Sequence, residues 1–308
     1  MSNLRGKRVL VTGGAGFIGT TVVRHLREAG AEPCVIDLRH PSYEVDTVVG
    51  DIRDPEAVAA AIQPGLHGIV HLAAMTSVLK SMEAPWDVHT TNVDGTATLL
   101  ERARQAGVER FVSASTNAVV GDVGRQCITE EHALRPLTPY GATKAAAEML
   151  LSGYGGSYGM ACCSLRLSNV FGVGMDLKDS MVPRLMRAVI KGSTIDVYGD
   201  GEQVRDFVYV DDVARAFVRA LEEGWTGATI IGAGESHSVN ELVDMTREVT
   251  GHPVQTRNVA PKPGEMPAVV LDTSRARSLG WQPQMSMLEG LRATWEDFTQ
   301  PAMEPAAR

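Results

Sequence analysis

The chain has 308 residues, of which 44% are hydrophobic and 21% charged, a composition typical of a globular protein with one large core or two modest ones. Its formal net charge of -8 argues against the clustered basic surface that sequence-independent nucleic-acid binding needs. No basic, apolar leader follows Met1, and no run of about 18 apolar residues occurs. We therefore expect a cytoplasmic protein with neither a nucleic acid nor a membrane as its partner.

Short β-branched runs alternate with alanine-rich helical segments through the first half of the chain. In chain order they predict a strand at RVLVTG (8–13), a helix ending at Gly30, strands at PCVIDL (33–38) and TVVGD (47–51), a helix capped by Asp54, and strands at GIVHLAA (68–74) and RFVSAS (110–115) on either side of a long helix. This alternation implies parallel strands joined by right-handed crossovers. Residues 1–170 are predicted to form a doubly wound (Rossmann) α/β domain.

The segments beyond residue 170 are shorter and richer in glycine and proline. Turns are predicted at GDG (199–201) and PKPGE (261–265). We expect a smaller C-terminal α/β substrate-binding lobe over 171–308, with residues 207–232 returning to the first domain.

Cysteine and acidic residues give no metal or disulfide pattern. The cysteines form no CxxC pair and are expected to be small buried apolar residues: Cys34, Cys127, Cys162 and Cys163. The histidines lack HxH and HExxH spacing, so no metal site is predicted. Asp211 and Asp212 could suggest a metal pair, but VDDVARAFVRAL (210–221) is better explained by a helix cap.

A glycine-rich loop joins the first strand to the first helix. In VLVTGGAGFIGTTVVRHL, Gly13, Gly16 and Gly19 lie three residues apart. Glycine allows close backbone approach, and a helix N-terminus offers free N–H groups to a diphosphate. The next strand ends at Asp37, whose carboxylate suits an adenosine ribose and repels a 2′-phosphate. The loop predicts NAD rather than NADP, although Arg39 could reach such a phosphate or be an ordinary exposed arginine.

A tyrosine and a lysine lie one helical turn apart in LTPYGATKAAAEML (137–150). Thr138 and Pro139 predict the start of a helix, and the spacing places Tyr140 and Lys144 on one face. A phenol with a pKa of about 10 is a poor base at pH 7, whereas a nearby cation favours the phenolate. We expect Lys144 and a nicotinamide ring to lower the pKa of Tyr140 toward neutrality, which takes about 4 kcal/mol.

These motifs arrive in the order of a known family. The segments TGGAGFIG, GDIRD, HLAA, TNVDGT, PYGATK, LRLSNVFG, VYGDGEQVRDFVYVDD and PKPGE resemble, over nearly the whole chain, the extended short-chain dehydrogenases/reductases of the nucleotide-sugar epimerase/dehydratase family. The resemblance, which is to its UDP-glucose 4-epimerase-like members, implies a retained NAD and a nucleotide-diphosphate sugar as the substrate. It also implies a homodimer formed by the helix from about Pro85 to Gly107 and the Tyr140 helix.

The resemblance assigns site residues position by position. Thr116 fills the active-site Ser/Thr position, so the predicted catalytic residues are Thr116, Tyr140 and Lys144. The implied NAD contacts are Gly13, Gly16, Phe17, Ile18, Gly19, Asp37, Asp51, Ile52, Leu72, Ala73, Ala74, Asn92, Tyr140 and Lys144. The implied substrate contacts are Ser77, Thr116, Asn117, Asn169, Val182, Tyr198, Arg205, Lys262, Glu265 and Val269. Of these, Asn169 and Arg205 would hold the diphosphate, and Glu265 would lie near the nucleotide ribose.

Three of these polar residues also have ordinary structural explanations. Asp51, with Ile52, is expected to close over the adenine, but could be a strand-end turn residue. Asn169 follows an apolar strand, where ligands of open parallel sheets gather, but could simply form a turn. Arg205 offers a fork of donors for phosphate, but arginines are often surface ion-pair partners.

The segment FVSASTNAVVGDVG (111–124) departs from part of the family. Dehydratases carry an Asp–Glu pair, and decarboxylases a glutamate, directly after the active-site Ser/Thr; here Asn117 and Ala118 stand instead. A 4,6-dehydratase needs an acid and a base to expel water after oxidation at C4. Epimerisation at C4 needs neither, because the hydride returns to the opposite face of a 4-keto sugar. The chain is therefore predicted to be a C4 epimerase.

Three further departures concern substrate contacts. Val120 replaces a tyrosine usual in this loop, and Lys262 stands where an arginine commonly meets the nucleotide. Lysine lacks the bidentate fork of arginine, so nucleotide affinity or base preference could differ. Val269 occupies a position often filled by a bulky aromatic; if it borders the sugar, it leaves room for a 2-N-acetyl group.

Two other functions stay open. One is an NAD(P)-dependent nucleotide-sugar reductase or dehydrogenase that releases its cofactor at each turnover, against which tight retention of the cofactor would argue. The other is a non-catalytic NAD-binding scaffold, against which the intact Thr116, Tyr140 and Lys144 argue.

Overall fold

The structure is a computed structural model that describes residues 3–261 and 267–300. Its strands are β1 (Arg8–Thr12), β2 (Glu32–Asp37), β3 (Asp46–Val49), β4 (Gly68–His71), β5 (Arg110–Thr116), β6 (Cys127–Ile128), β7 (Ala161–Leu167), β8 (Asn169–Phe171), β9 (Ile195–Tyr198), β10 (Val204–Tyr209), β11 (Gly227–Ile231), β12 (Ser236–Ser238), β13 (Thr256–Val259) and β14 (Val270–Leu271). Its α-helices are α1 (Phe17–Glu28), α2 (Pro55–Ala61), α3 (Val78–Glu83), α4 (Pro85–His89), α5 (Gly95–Gln105), α6 (Pro139–Tyr158), α7 (Met181–Lys191), α8 (Val210–Glu223), α9 (Val239–Thr250), α10 (Ser274–Ser278) and α11 (Met287–Thr299).

The largest sheet is parallel, in the order β3-β2-β1-β4-β5-β7-β11. Successive side chains along each strand point to opposite faces of the sheet. Val9 and Val11 of β1 join a core with α1 and α8, whereas Leu10 joins a second core with α2, α5 and α6. The sheet is thus buried on both faces, and the predicted doubly wound α/β fold is confirmed.

The parallel arrangement gathers the carboxyl ends of the strands at one edge. Thr12, Asp37, His71 and Thr116 end β1, β2, β4 and β5 there. In open parallel sheets this edge is where ligands bind. The outer strand β11 pairs with β7, and α8 packs on α1, so the chain contributes to the sheet again after residue 207.

A smaller α/β unit lies beyond this edge. It contains the sheet β12-β10-β8 and the pair β13-β9. Phe171, Leu185, Met186, Leu242 and Leu291 from β8, α7, α9 and α11 form its core. The smaller lobe agrees with the predicted fold class; the domain boundary at residue 170 stays a prediction.

The helix predicted from about Pro85 to Gly107 contains an irregular turn. The helices α4 and α5 are joined by a π-helical turn at Thr90–Asp94. Asn92, at the centre of this turn, is buried and hydrogen-bonds the backbone of Met75 through both its Oδ1 and its Nδ2. These tertiary contacts accompany the wider turn, and the sequence pattern did not indicate them.

Local start and stop signals were otherwise predicted well. The Asp54 carboxylate accepts a hydrogen bond from the Glu56 N–H at the start of α2, and Thr138 caps α6 in the same way. Gly30 and Gly107 follow α1 and α5 with φ of +80° and +72°, a region that favours glycine.

Two predictions about individual residues are wrong. Cys127 is exposed on the short strand β6, whereas the other cysteines are buried. The residue that precedes α8 is Tyr209, so Asp211 and Asp212 lie in the first turn and do not cap it. Asp211 pairs with Arg24 and His25 of α1 instead.

Asp212 connects α8 to the segment before α11. Its carboxylate is fully buried and accepts hydrogen bonds from the backbone N–H groups of Gln284 and Met285. Within 3–261 and 267–300, no group of three or more His, Cys, Asp or Glu side chains is placed to hold a metal ion. None of the helices in these ranges is long and apolar enough to cross a membrane.

Candidate active site

A cavity of about 1250 Å³ lies between the strand ends of the large sheet and the smaller unit. Its wall joins the glycine-rich loop to side chains from β5, α6, β8, α7, β9 and β10. The predicted site residues on this wall are Gly13, Gly16, Phe17, Ile18, Gly19, Asp37, Asp51, Ile52, Leu72, Ala73, Ala74, Thr116, Tyr140, Lys144, Asn169, Val182, Tyr198 and Arg205. Residues far apart in the sequence thus line one continuous space.

The glycine-rich loop packs closely against neighbouring backbone. Gly13 has a φ of +73°, and a Cβ there would lie 2.8 Å from the Ala73 backbone nitrogen. A Cβ on Gly19 would lie 2.2 Å from the Gly13 carbonyl oxygen. Only glycine fits these two positions. The loop that they form leads into the N-terminus of α1, which lies on the cavity wall, where helix N–H groups can bind an anion.

Asp37 is oriented by the loop. Its Oδ2 accepts a 3.0 Å hydrogen bond from the Ala15 N–H, and its Oδ1 accepts one of 3.3 Å from the Arg39 N–H. The Arg39 guanidinium donates to the Ala15 carbonyl oxygen at 3.1 Å. The Asp37 carboxylate at the end of β2 therefore lies on the cavity wall, and both Asp37 and Arg39 are hydrogen-bonded to the glycine-rich loop.

Asp51 also lines the cavity. Its carboxylate makes an ion pair of 2.6 Å with Arg53, and hydrogen bonds from the Arg53 side chain lower its pKa. Asp51 is therefore an ionised residue of the cavity wall. Ile52, next to it, is buried against Gly95 of α5, where it also contributes to the wall.

Tyr140 and Lys144 occupy the first turns of α6. The Lys144 ammonium donates a 2.9 Å hydrogen bond to the Ala114 carbonyl oxygen of β5. Thr116, two residues further along β5, interacts with the Tyr140 phenol and accepts a 3.2 Å hydrogen bond from the Ala118 N–H. The three predicted catalytic side chains therefore meet at the end of one strand.

Burial shifts both titratable groups toward their neutral forms. It raises the pKa of Tyr140 to about 12, partly opposed by the hydrogen bond with Thr116. It lowers the pKa of Lys144 to about 8, partly opposed by the charge of Glu148. In the polypeptide, loss of solvation therefore favours the protonated phenol. The expectation that Lys144 and a nicotinamide ring together lower the pKa of Tyr140 stays a prediction.

Two predicted site residues make structural contacts outside the cavity wall. Asn92 is buried behind it, where its Nδ2 also donates to the Thr143 hydroxyl at 3.0 Å. Ser77 caps α3 by accepting a hydrogen bond from the Lys80 N–H at 3.2 Å. Neither is on the cavity wall that the described residues form.

Asn117 and Val269 are also set back from the cavity. Asn117 is buried, and its Nδ2 donates to the Leu167 carbonyl oxygen at 3.1 Å. Val269 packs with Val120 and Ile128 in a small apolar cluster. The expectation that a small Val269 widens the sugar site therefore has no support from its position. Lys262 and Glu265 lie outside the described residues.

The wall includes cationic residues that the sequence motifs did not single out. Lys178 precedes α7, and Arg184 lies within it. Arg184 makes a bidentate ion pair with Asp179, at 2.6 and 2.7 Å. The sequence feature that could have identified them is a lysine and an arginine near the start of an amphipathic helix. Sequence spacing alone does not show that the start of α7 lies on the same cavity as the strand ends of the large sheet.

Comparison with known proteins agrees with this geometry. Residues 9–232 match the model of the NAD dependent epimerase/dehydratase family. A putative UDP-glucose 4-epimerase of Methanocaldococcus jannaschii is 34% identical over 294 residues, covering 92% of this chain and 96% of the relative.

Solved structures give the same relationship. The UDP-glucose 4-epimerase of Thermus thermophilus, in complex with NAD, is 37% identical with a TM-score of 0.88, covering 94% of this chain and 98% of that one. The Thermotoga maritima UDP-glucose 4-epimerase with UDP-glucose is 34% identical with a TM-score of 0.89 and the same coverage. The family predicted from the motifs is confirmed: the chain belongs to the NAD-dependent epimerase/dehydratase family.

Proposed function

We propose that the protein interconverts nucleotide-diphosphate sugars that differ in configuration at C4, through a transient 4-keto sugar and a retained NAD. The observation that carries the proposal is the composition of the reacting end of the cavity. Thr116, Tyr140 and Lys144 line the wall there, and Asn117, the residue after Thr116, is set back from the cavity with its amide hydrogen-bonded to the Leu167 carbonyl oxygen. This set can move a proton on and off an oxygen, and it places no carboxylate directly after Thr116.

The cofactor site fits a dinucleotide. Gly13 and Gly19 allow the loop to pack closely before the N-terminus of α1, where a diphosphate would bind, and Asp37 would contact the adenosine ribose. Lys144 would hold the nicotinamide ribose, and Asp51 and Ile52 would flank the adenine. When bound, NAD would supply an acceptor and donor for the C4 hydride, and the positive charge of its oxidised ring would favour a neighbouring phenolate.

Tyr140 is the proposed proton carrier. Its phenol meets the Thr116 hydroxyl at the cavity wall, so both can contact one substrate hydroxyl. Thr116 orients that hydroxyl, and Tyr140 takes its proton during oxidation and returns it to the ketone oxygen afterwards. Because burial alone favours the protonated phenol, the charge of Lys144 and of the cofactor has to offset that effect.

The nucleotide sugar would occupy the part of the cavity formed by the smaller unit. Arg205 and Asn169 are the proposed diphosphate contacts, with Val182 and Tyr198 alongside. The Thermotoga maritima relative, which holds UDP-glucose, supports a uridine nucleotide as the first candidate. The proposed division therefore gives residues 1–170 to NAD, with 207–232 returning to that domain, and 171–308 to the substrate.

A homodimer is the proposed assembly. The helices α3, α4 and α6 pack together and expose large apolar side chains, among them Leu79, Met82, Trp86, Met149 and Tyr158. Apolar groups of this kind commonly become buried at subunit interfaces. The cytoplasmic location stays a prediction.

The proposal is tested by incubating the purified protein, with no cofactor added, separately with each member of a C4-epimeric pair. The panel comprises UDP-glucose and UDP-galactose, their N-acetylated counterparts, and the dTDP and GDP hexoses. An epimerase brings at least one pair to the same ratio from both directions without net change in absorbance at 340 nm. In a parallel incubation with NADH, stoichiometric consumption of the NADH would instead show a reductase, and in either incubation a 4-keto-6-deoxy product would show a dehydratase.

A further inference from the structure

A buried ion pair lies one helical turn behind Lys144. Glu148 of α6 and Arg166 of β7 each have side chains only 4% exposed. The Arg166 Nη2 donates to Glu148 Oε2 at 2.8 Å, and its Nε donates to Oε1 at 3.1 Å. The Ser115 hydroxyl also donates to Oε1, so Arg166 and Ser115 together hold both oxygens of this carboxylate.

The same contacts connect the pair to the catalytic strand. Ser115 directly precedes Thr116, and it pairs with Arg166 in the register of β5 and β7. Lys144 is bonded to Ala114, on the other side of Ser115. Glu148 therefore fixes α6 on β5 between the two points where the catalytic side chains meet that strand.

Glu148 is also the charge that opposes the burial of Lys144. Lys144 is fully enclosed, and the carboxylate one turn away raises its pKa against the lowering by burial. Opposite Lys144, on β4, His71 is the nearby titratable group, and burial together with the Lys144 charge lowers its pKa to about 3, which keeps it neutral. Arg166 faces Glu148 from β7, and Tyr140 shares the face of α6.

Two acidic residues on the helices packed against α6 interact with charged groups elsewhere. On α4, Asp87 interacts with Arg53, and on α5, Glu101 pairs with Arg104. Glu101 reaches α6 only at Tyr154, about 15 Å along the helix from Lys144. Among the described residues, Glu148 is the anion whose charge acts on Lys144.

We propose that Glu148 is a positioning residue for catalysis: held by Arg166 and Ser115, its carboxylate keeps the Lys144 ammonium charged and directed at the Ala114 carbonyl. A buried ion pair is weak evidence for stability, because well-packed apolar residues often replace one at no cost. Here the pair has a second effect, on the protonation of the neighbouring lysine. Its kinetic consequence rests on the proposed function, whereas its effect on Lys144 does not.

The test compares Glu148→Gln with Arg166→Gln, which break the same ion pair and leave opposite charges behind. Protonation of Lys144 is followed by NMR of ε-13C-lysine, with Lys144→Arg to assign the resonance. We expect the titration midpoint of Lys144 to fall by about one pH unit or more in Glu148→Gln, and not to fall in Arg166→Gln. Equal midpoints in the two variants would overturn the proposal, because a purely structural pair affects both alike.

Kinetics provide a second readout. The alkaline limb of the kcat profile should move to lower pH in Glu148→Gln, with KM for the sugar nearly unchanged, and Glu148→Asp should restore it in part. If Glu148→Gln fails to fold, Glu148→Gln combined with Arg166→Met replaces it, and a Lys144 midpoint equal to that of the wild type would then refute the proposal. A wild type without C4 turnover would count against the proposed function alone, since the NMR titration still measures the effect of Glu148 on Lys144.

Discussion

The Lys144 ammonium donates a 2.9 Å hydrogen bond to the Ala114 carbonyl oxygen, two residues before Thr116. This contact joins the helix that carries Tyr140 to the strand that ends in Thr116, the proposed catalytic threonine. The reacting groups thus belong to rigid elements, and their separation is set by the packing of α6 on β5 rather than by a loop.

Replacing Tyr140 with phenylalanine is expected to leave NAD bound and to abolish most turnover. The ring keeps its packing, but the proton carrier is lost, which typically reduces kcat by about 100-fold to 10,000-fold. Steady-state kinetics, together with measurement of the NAD released on denaturation, checks this. Near-normal kcat in the variant would show that another group carries the proton.

Replacing Gly19 with alanine is expected to remove the bound NAD. The new Cβ would lie 2.2 Å from the Gly13 carbonyl oxygen, so the loop has to move away from the helix N-terminus. Gly156→Ala is the matched control, because a Cβ there meets nothing within 4 Å. Retention of one NAD per chain by the Gly19 variant would contradict the proposed diphosphate site.

Replacing Arg205 with lysine is expected to raise KM for the nucleotide sugar by roughly 10-fold to 100-fold, with kcat little changed. A single ammonium cannot reproduce a two-pronged contact with the diphosphate, and hydrogen bonds to charged groups contribute about 1.5–3 kcal/mol. Arg247→Lys, on the surface of α9, is the control. An unchanged KM for the Arg205 variant would place the diphosphate elsewhere.

His71 is expected to make the protein sensitive to mild acid. Burial lowers its pKa to about 3, and its ring bridges the hydroxyls of Thr12 and Thr96 at 2.7 and 3.0 Å. Below about pH 6.5 the unfolded chain binds a proton that the folded chain does not, so the free energy of unfolding falls as the pH falls toward 3. Between pH 7 and pH 5 this amounts to roughly 2 kcal/mol.

Urea unfolding at both pH values measures this effect. His71→Asn should lose about 2 kcal/mol less than the wild type between pH 7 and pH 5. His40→Asn, which changes an exposed histidine, should follow the wild type. Parallel losses in all three proteins would show that His71 is not the group responsible.

Local signals in the sequence predicted much of the fold and the part of the candidate site assigned to NAD. The glycine loop, the end of β2 at Asp37 and the Tyr140–Lys144 spacing depend on neighbours within one turn or one strand, so their geometry follows from the chain itself. The cavity accordingly contains the predicted NAD contacts apart from Asn92.

The remaining features depend on contacts between distant segments. Glu148 and Arg166 are in contact because α6 packs on β5 and β7, and their spacing in the sequence does not predict this contact. Val269 packs with Val120 because β14 pairs with β6, which the sequence pattern did not indicate. The pKa of Tyr140 depends on how completely the fold encloses it, which the YxxxK motif does not specify.

The central claim is that the chemistry is confined to removal and return of one hydride at C4. It is tested most directly by bringing the accepted nucleotide sugar to equilibrium in D2O and examining the product by NMR and mass spectrometry. The account predicts a C4-inverted sugar with no deuterium on carbon, since Tyr140 exchanges only oxygen-bound protons. Deuterium at C3 or C5, or loss of water to a 4-keto-6-deoxy sugar, would contradict it.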